Sequence, residues 1–237
     1  NALWSSLLAP AAALSAAQPG RRVDSLPVMY PSEPLSVVVV GGTGMGKSTL
    51  INAMLGCTIL PTSCMRACTA AVVEMAWPDG SCDAPYEARV ALVSADEWHA
   101  VLTAACEAAI AAGKGKQPQE GVTPGAADWT RATSFYGAKA EITAEALSTE
   151  SGLHEEELMA CVVDELMTSF HERTSSGSEV VLKAQNETDF ASLVRPYVDS
   201  SDDADGGAMW PLVQRVTLLG PFSLLSAGIR LFDVPGT

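Results

Sequence analysis

The chain has 237 residues, 48% of them hydrophobic, and a formal net charge of −14. That length and apolar share suit one α/β domain, or one with a large insertion, and suffice for a full core. The acidic balance argues against nucleic acid or anionic lipid recognised by charge alone, and no stretch of the sequence is long and apolar enough to span a bilayer.

Residues 3–17 are apolar and Ala-rich, but they lack a basic start and Pro10 breaks them. They read as a packing helix in front of the domain rather than as a signal peptide. Residues 18–34 hold Pro19, Gly20, Pro27, Pro31 and Pro34 and read as a linker, so the domain is expected over 35–237. The chain starts at Asn1 and stops at Thr237, just past a motif, and is expected to be a fragment.

The stretch 35–55 reads LSVVVVGGTGMGKSTLINAML. Four β-branched residues, Val37 to Val40, suit a strand buried on both faces of a parallel sheet. Gly41-Gly42-Thr43-Gly44-Met45-Gly46-Lys47-Ser48 then fits G-x-x-x-x-G-K-[ST], and an amphipathic helix follows with Leu50, Ile51, Met54 and Leu55 on one side. Strand, Gly-rich loop and helix in that order is the context of a P-loop. Glycines let successive backbone N–H groups point at phosphate oxygens, and the helix N-terminus adds partial positive charge. In that geometry Gly42 to Thr49 cradle the phosphates, Lys47 reaches the β- and γ-phosphates, and the Ser48 hydroxyl ligates Mg2+.

Residues 57–69 read as a loop, 70–77 and 86–93 as strands joined in a hairpin over Pro78-Asp79-Gly80. Ser94-Ala95-Asp96-Glu97 is a capping box that opens a helix to about Ala112, with Trp98, Val101, Leu102, Ala105, Ala109 and Ile110 as its buried stripe. A Gly/Pro-containing loop over 113–125 precedes a helix expected near 135–147. A longer helix runs from about 153 to 172, where Met159, Val162, Val163, Leu166, Met167 and Phe170 recur at helical spacing. A short strand at 180–182, a helix capped by Asn186 and running through Tyr197, an acidic loop at 199–207, and apolar strands at 213–219 and 229–234 complete the chain.

Several signals are set aside. His154-Glu155-Glu156-Glu157-Leu158 lacks the second histidine of H-E-x-x-H. Asp203 and Asp205 are spaced as in part of a calcium loop, but Ser201 stands at the first ligand position and Leu212 at the twelfth. The six cysteines, at 57, 64, 68, 82, 106 and 161, form no C-x-x-C, so reduced thiols in an intracellular, cytoplasmic or nuclear protein are expected.

The last strand ends in Leu231-Phe232-Asp233-Val234-Pro235-Gly236-Thr237. An aspartate at a strand end followed by x-P-G is how many GTPases hold Mg2+ through a water and set a glycine N–H on the γ-phosphate. Together the stretches GGTGMGKSTLINAMLG, ILPTSCMRACTAAVVEM, VSADEWHAVL and MWPLVQRVTLLGPFSLLSAGIRLFDVPGT resemble the dynamin superfamily of large GTPases, from residue 35 to the end with an interruption at 113–132. The resemblance implies an α/β P-loop NTPase fold, a three-layer sheet with a helical insertion over about 94–175, cut after switch II. It implies that Thr69 is the switch I threonine, closing over the γ-phosphate, Mg2+ and attacking water, and that Asp233 and Gly236 belong to switch II. Lys47 and Thr69 are then the catalytic residues, and Ser48, Thr69 and Asp233 surround the metal.

Gly44 stands where many relatives carry a serine, which counts against their monovalent-cation mechanism here. Arg66 is a candidate for transition-state charge, weighed against a surface role. The resemblance further implies binding of GTP and GDP, Mg2+ as cofactor, hydrolysis of the β–γ bond, and self-association through the GTPase domain, with any membrane contact made by regions outside this chain. Two alternatives stand beside it: a nucleotide-dependent scaffold or assembly switch with little turnover, and an ATPase of the same fold. The guanine-reading N/T-K-x-D motif does not occur in these residues, so guanine preference rests on the resemblance.

Overall fold

A computed structural model describes residues 34–62, 71–78, 80, 82–113, 116–137, 155–174, 177–200 and 208–235. The N-terminal helix and linker, Arg66, Thr69, the helix expected beyond Gly137, His154, residues 201–207 and Gly236 lie outside them. Among the described residues, six strands form one sheet in the order β1-β6-β2-β5-β3-β4. The strands are β1 (Leu35–Val39), β2 (Val72–Ala76), β3 (Tyr86–Leu92), β4 (Glu179–Ala184), β5 (Val213–Leu219) and β6 (Ile229–Asp233). The helices are α1 (Lys47–Leu55), α2 (Ala95–Ala112), α3 (Ala126–Tyr136), α4 (Glu155–Arg173) and α5 (Glu187–Val198). β1 runs parallel to β6 and β2 parallel to β5, while the β2–β6, β3–β5 and β3–β4 pairs are antiparallel.

Two sequence expectations fail here for the same reason. β2 and β3 are not a hairpin, because β5 enters between them and pairs with both. β1 is not buried on both faces: it is an end strand, with Leu35, Val38 and Val40 exposed. Strand propensity reports a β-branched run, whereas its neighbours are chosen by segments far away in sequence. Among the described residues β1 and β4 are the end strands, and β6 lies between β1 and β2.

The two faces of the sheet differ in chemistry. Val73, Met75, Val216, Leu218, Ala88, Val90 and Leu231 share one face by register and are buried. They belong to one apolar core with Ile51 and Leu55 of α1 and Phe190, Val194 and Val198 of α5. The other face carries Thr217 and Phe232 together with two ion pairs, Arg230 bonded to Glu74 at 3.0 Å and Arg89 to Glu87 at 2.8 Å. Glu74 and Glu87 are themselves buried, so their arginine partners offset a desolvation cost.

Helices α2, α3 and α4 lie in the chain between β3 and β4. α2 opens with the expected capping box: the Ser94 hydroxyl accepts from the Glu97 N–H, and the Glu97 carboxylate accepts from the Ser94 N–H. The Ser94 N–H and, next, the Ser94 hydroxyl, both donating to the Glu97 carboxylate, hold that carboxyl below its usual range. Trp98 is fully buried and stacks on Phe170 with centroids 6.2 Å apart. Its indole N–H donates to Tyr136 Oη at 2.9 Å, and that hydroxyl donates to the Leu166 carbonyl at 2.9 Å, so both polar tips of the aromatic core are satisfied. Burial pushes the Tyr136 phenol up to about 12.

Two arginines tie these helices to the segment entering β5. Arg131 donates to the Pro211 carbonyl at 2.8 Å. Arg173 donates to the Phe135 carbonyl, lies 4.0 Å over the Phe135 ring and donates to Met209 Sδ at 3.5 Å. α3 starts nine residues earlier than 135, within the stretch read as an interruption. Its N-cap Gly125 has φ +77°, and a Cβ there would sit 2.6 Å from the Ala104 carbonyl oxygen of α2. Only glycine permits that approach.

Candidate functional site

The site lies where strand ends meet. β6 is parallel to β1 with Val39 opposite Asp233, so both strands end at the same edge of the sheet. β2 is antiparallel to β6 with Val73 opposite Asp233, so the chain enters β2 at that edge too. The loop after β1 therefore faces the end of β6, and β2 begins beside the end of β6.

Gly44 and Gly46 have φ of +75° and +84°. Neither would meet another atom within 4 Å if a Cβ were added, so the left-handed backbone and not crowding calls for glycine there. Gly44 thus occupies a conformation that a serine adopts only under strain. Gly46 caps α1, and the Leu50 N–H donates to its carbonyl at 2.9 Å. Lys47 folds across the loop, its Nζ donating to the carbonyls of Gly41 at 2.9 Å and Gly42 at 3.2 Å. Thr43, Met45 and Thr49 are exposed, and the Met45 N–H donates to the Gly42 carbonyl at 3.3 Å.

Ser48 Oγ donates to Asp233 Oδ2 at 2.7 Å, across 185 positions of sequence. Asp233 is fully buried at the end of β6. A hydroxyl and a carboxylate held together beside a helix N-terminus are hard oxygen donors, the set that suits Mg2+. Of the residues expected at the site, the structure brings together Gly42 to Thr49 and Asp233; Thr69 and Gly236 lie outside the described residues.

α1 departs from its expected stripe. Ile51 and Leu55 are buried, but Leu50 and Met54 are exposed. The third inward residue is Asn52, which sequence reading passed over. Its Nδ2 donates to the Leu60 carbonyl at 2.8 Å, and its Oδ1 accepts from the N–H groups of Ile59 at 3.2 Å and Leu60 at 3.0 Å. One amide side chain thus fixes the loop that leads from α1 to residues 63–70. The only sequence signal for it is a polar residue on the inward side of a short helix.

Glu187, the first residue of α5, accepts from the Thr58 N–H at 2.9 Å and steadies the same loop from the other side. Burial, and next the Glu187 charge, push the Cys57 thiol up to about 11. A cavity of about 360 Å3 lies between this loop and α5, lined by residues that include Thr58, Thr62, Ser192 and Arg195. It contains no residue of the glycine loop and is not the phosphate site.

Strand, glycine loop and helix beside the acidic end of a parallel neighbour define a P-loop nucleotide-binding protein. The sequence profile of the dynamin family matches residues 37–237, and the chain belongs to that family of GTPases. It is 30% identical over 220 residues to the nuclear GTPase SLIP-GC of Mus musculus, covering 87% of this chain and 25% of that protein. With the nuclear GTPase SLIP-GC of Homo sapiens it is 29% identical over 223 residues, again covering 25% of the relative. The chain thus spans about a quarter of the length of these curated relatives. A solved structure of an oligomerised bacterial dynamin pair aligns with 88% of this chain and 20% of that chain, at a TM-score of 0.42 and 14% identity.

Proposed function

We propose that residues 35–237 form part of a dynamin-type GTPase domain, with a helical insertion over about 94–175, that binds GTP and hydrolyses its β–γ bond. The observation that carries this reading is the 2.7 Å bond between Ser48 and Asp233, which joins the first phosphate motif to the second. In this reading the backbone of Gly42 to Thr49 and the N–H of Gly236 bind phosphate oxygens. Lys47 exchanges its loop carbonyls for the β- and γ-phosphates. Thr69 orients the attacking water. Ser48, Thr69 and Asp233, the last through a water, would hold Mg2+, which supplies charge neutralisation on the phosphates when bound.

Self-association through the GTPase domain and an intracellular setting, cytoplasmic or nuclear, belong to the same proposal. Among the described residues, no helix is long and apolar enough to cross a membrane. Phosphate release from GTP, measured on the full-length protein with and without self-association, tests the proposal. Turnover supports a GTPase, whereas nucleotide-dependent assembly without phosphate release supports a scaffold. The chain alone is expected to bind GTP and ATP with similar weak affinity, because base discrimination needs hydrogen-bonding groups matched to the base edge.

A further inference from the structure

We propose that the outer edge of β4 (Glu179–Ala184) pairs with the same edge of a second copy of this chain, antiparallel and two-fold about Val181. β4 ends the sheet, and among the described residues its strand partner is β3 alone. The Leu92 N–H donates to the Ser178 carbonyl at 2.8 Å, in line with the register Ala91↔Glu179 and Val90↔Val180. Opposed residues of an antiparallel pair alternate between exchanging hydrogen bonds and not. Val180 and Leu182 therefore turn their backbone groups toward β3, and Glu179, Val181 and Lys183 turn theirs outward.

A free edge of this kind is ordinarily blunted by charges. Here the charges are arranged to accept one partner. In a two-fold pair about Val181, Glu179 stands opposite Lys183 of the second copy, and Lys183 opposite its Glu179. Every outward N–H and C=O of the three residues then finds a partner. Val181, 48% exposed, meets its own counterpart at the centre. A parallel pairing in register would set Glu179 against Glu179 and Lys183 against Lys183, which repel. Lys183 already bonds Asp83 at 2.8 Å, and its ammonium has further donors for a second carboxylate. The interface is isologous and small, so the dimer is weak and concentration-dependent. It does not depend on the nucleotide reading of the P-loop.

Sedimentation velocity of the full chain over a range of concentrations, without nucleotide, tests the pairing. The wild type should show a monomer–dimer equilibrium. Lys183→Glu and Glu179→Lys singly should each weaken it about tenfold or more, since two attractive pairs become repulsive. The double variant E179K/K183E should restore it to within about threefold of wild type, because the swap re-forms both pairs. Val181→Pro should abolish it while leaving the β3–β4 ladder intact, as the nitrogen it alters faces outward. A chain that stays monomeric throughout, a dimer indifferent to the single reversals, or a double variant that fails to recover would overturn the proposal.

Discussion

Replacing Asn52 by alanine should destabilise the domain through the loop that leaves α1. The side chain satisfies two N–H groups and one carbonyl on Ile59 and Leu60, residues only 3% and 2% exposed. Each buried backbone group left without a partner costs about 1–3 kcal/mol. Partial entry of water into the vacated space, and the better helix propensity of alanine, offset part of the sum. The expected net loss is about 3 kcal/mol, which for a chain of this size lowers Tm by about 6–12 °C. Asn52→Asp keeps the acceptor for both N–H groups but sets an oxygen against the Leu60 carbonyl, so it should also destabilise. Urea unfolding followed by circular dichroism measures both variants. An Asn52→Ala protein within about 0.5 kcal/mol of wild type would show that the loop is held by something other than this amide.

Thr69→Ala should largely spare nucleotide binding and lower turnover by orders of magnitude, because the role proposed for it is in the transition state, while Thr69→Ser should stay nearer wild type; steady-state phosphate release decides it. Gly125→Ala should cost about 2–4 kcal/mol in thermal unfolding, from the contact with the Ala104 carbonyl and the positive φ together. Burial raises the thiols of Cys57 and Cys106 from 9.0 to about 11. Both ionise in the unfolded chain before the folded one, so their contribution is complete below pH 9 and is lost as pH rises toward 11. Unfolding curves at pH 8 and pH 10.5 should show that decline, and it should be smaller in a Cys57→Ser/Cys106→Ser protein, the remainder coming from the raised phenol of Tyr136.

The parts of the fold that were legible in the sequence are those whose cause is local. The glycine loop with Lys47 and Ser48, the Ser94–Glu97 capping box and the Asn186 cap each combine a residue type with a fixed spacing, and each was found where expected. The Val162 to Phe170 stripe follows the same rule, and so does the first half of the Trp98 stripe, whereas toward the end of that helix Cys106 and Ala108 are buried in place of Ala109 and Ile110. What was not legible depends on distant segments. Nothing in residues 70–93 announces that β5 will separate β2 from β3. The valines of β1 carry the composition of an interior strand, yet the sheet order puts them at an edge. Leu50 and Met54 look like core until Asn52 is seen turned inward to hold Leu60. Gly125 marks a helix start only once Ala104 is known to lie against it.

The most direct test of the nucleotide site is isothermal titration of GTP into wild type, Lys47→Ala and Asp233→Asn, each with Mg2+ and with a chelator. Wild type should bind, and bind more tightly with Mg2+. Lys47→Ala should lose binding in both conditions, and Asp233→Asn should lose chiefly the gain that Mg2+ brings. Equal GTP affinity in wild type and Lys47→Ala would contradict a phosphate site at residues 42–49.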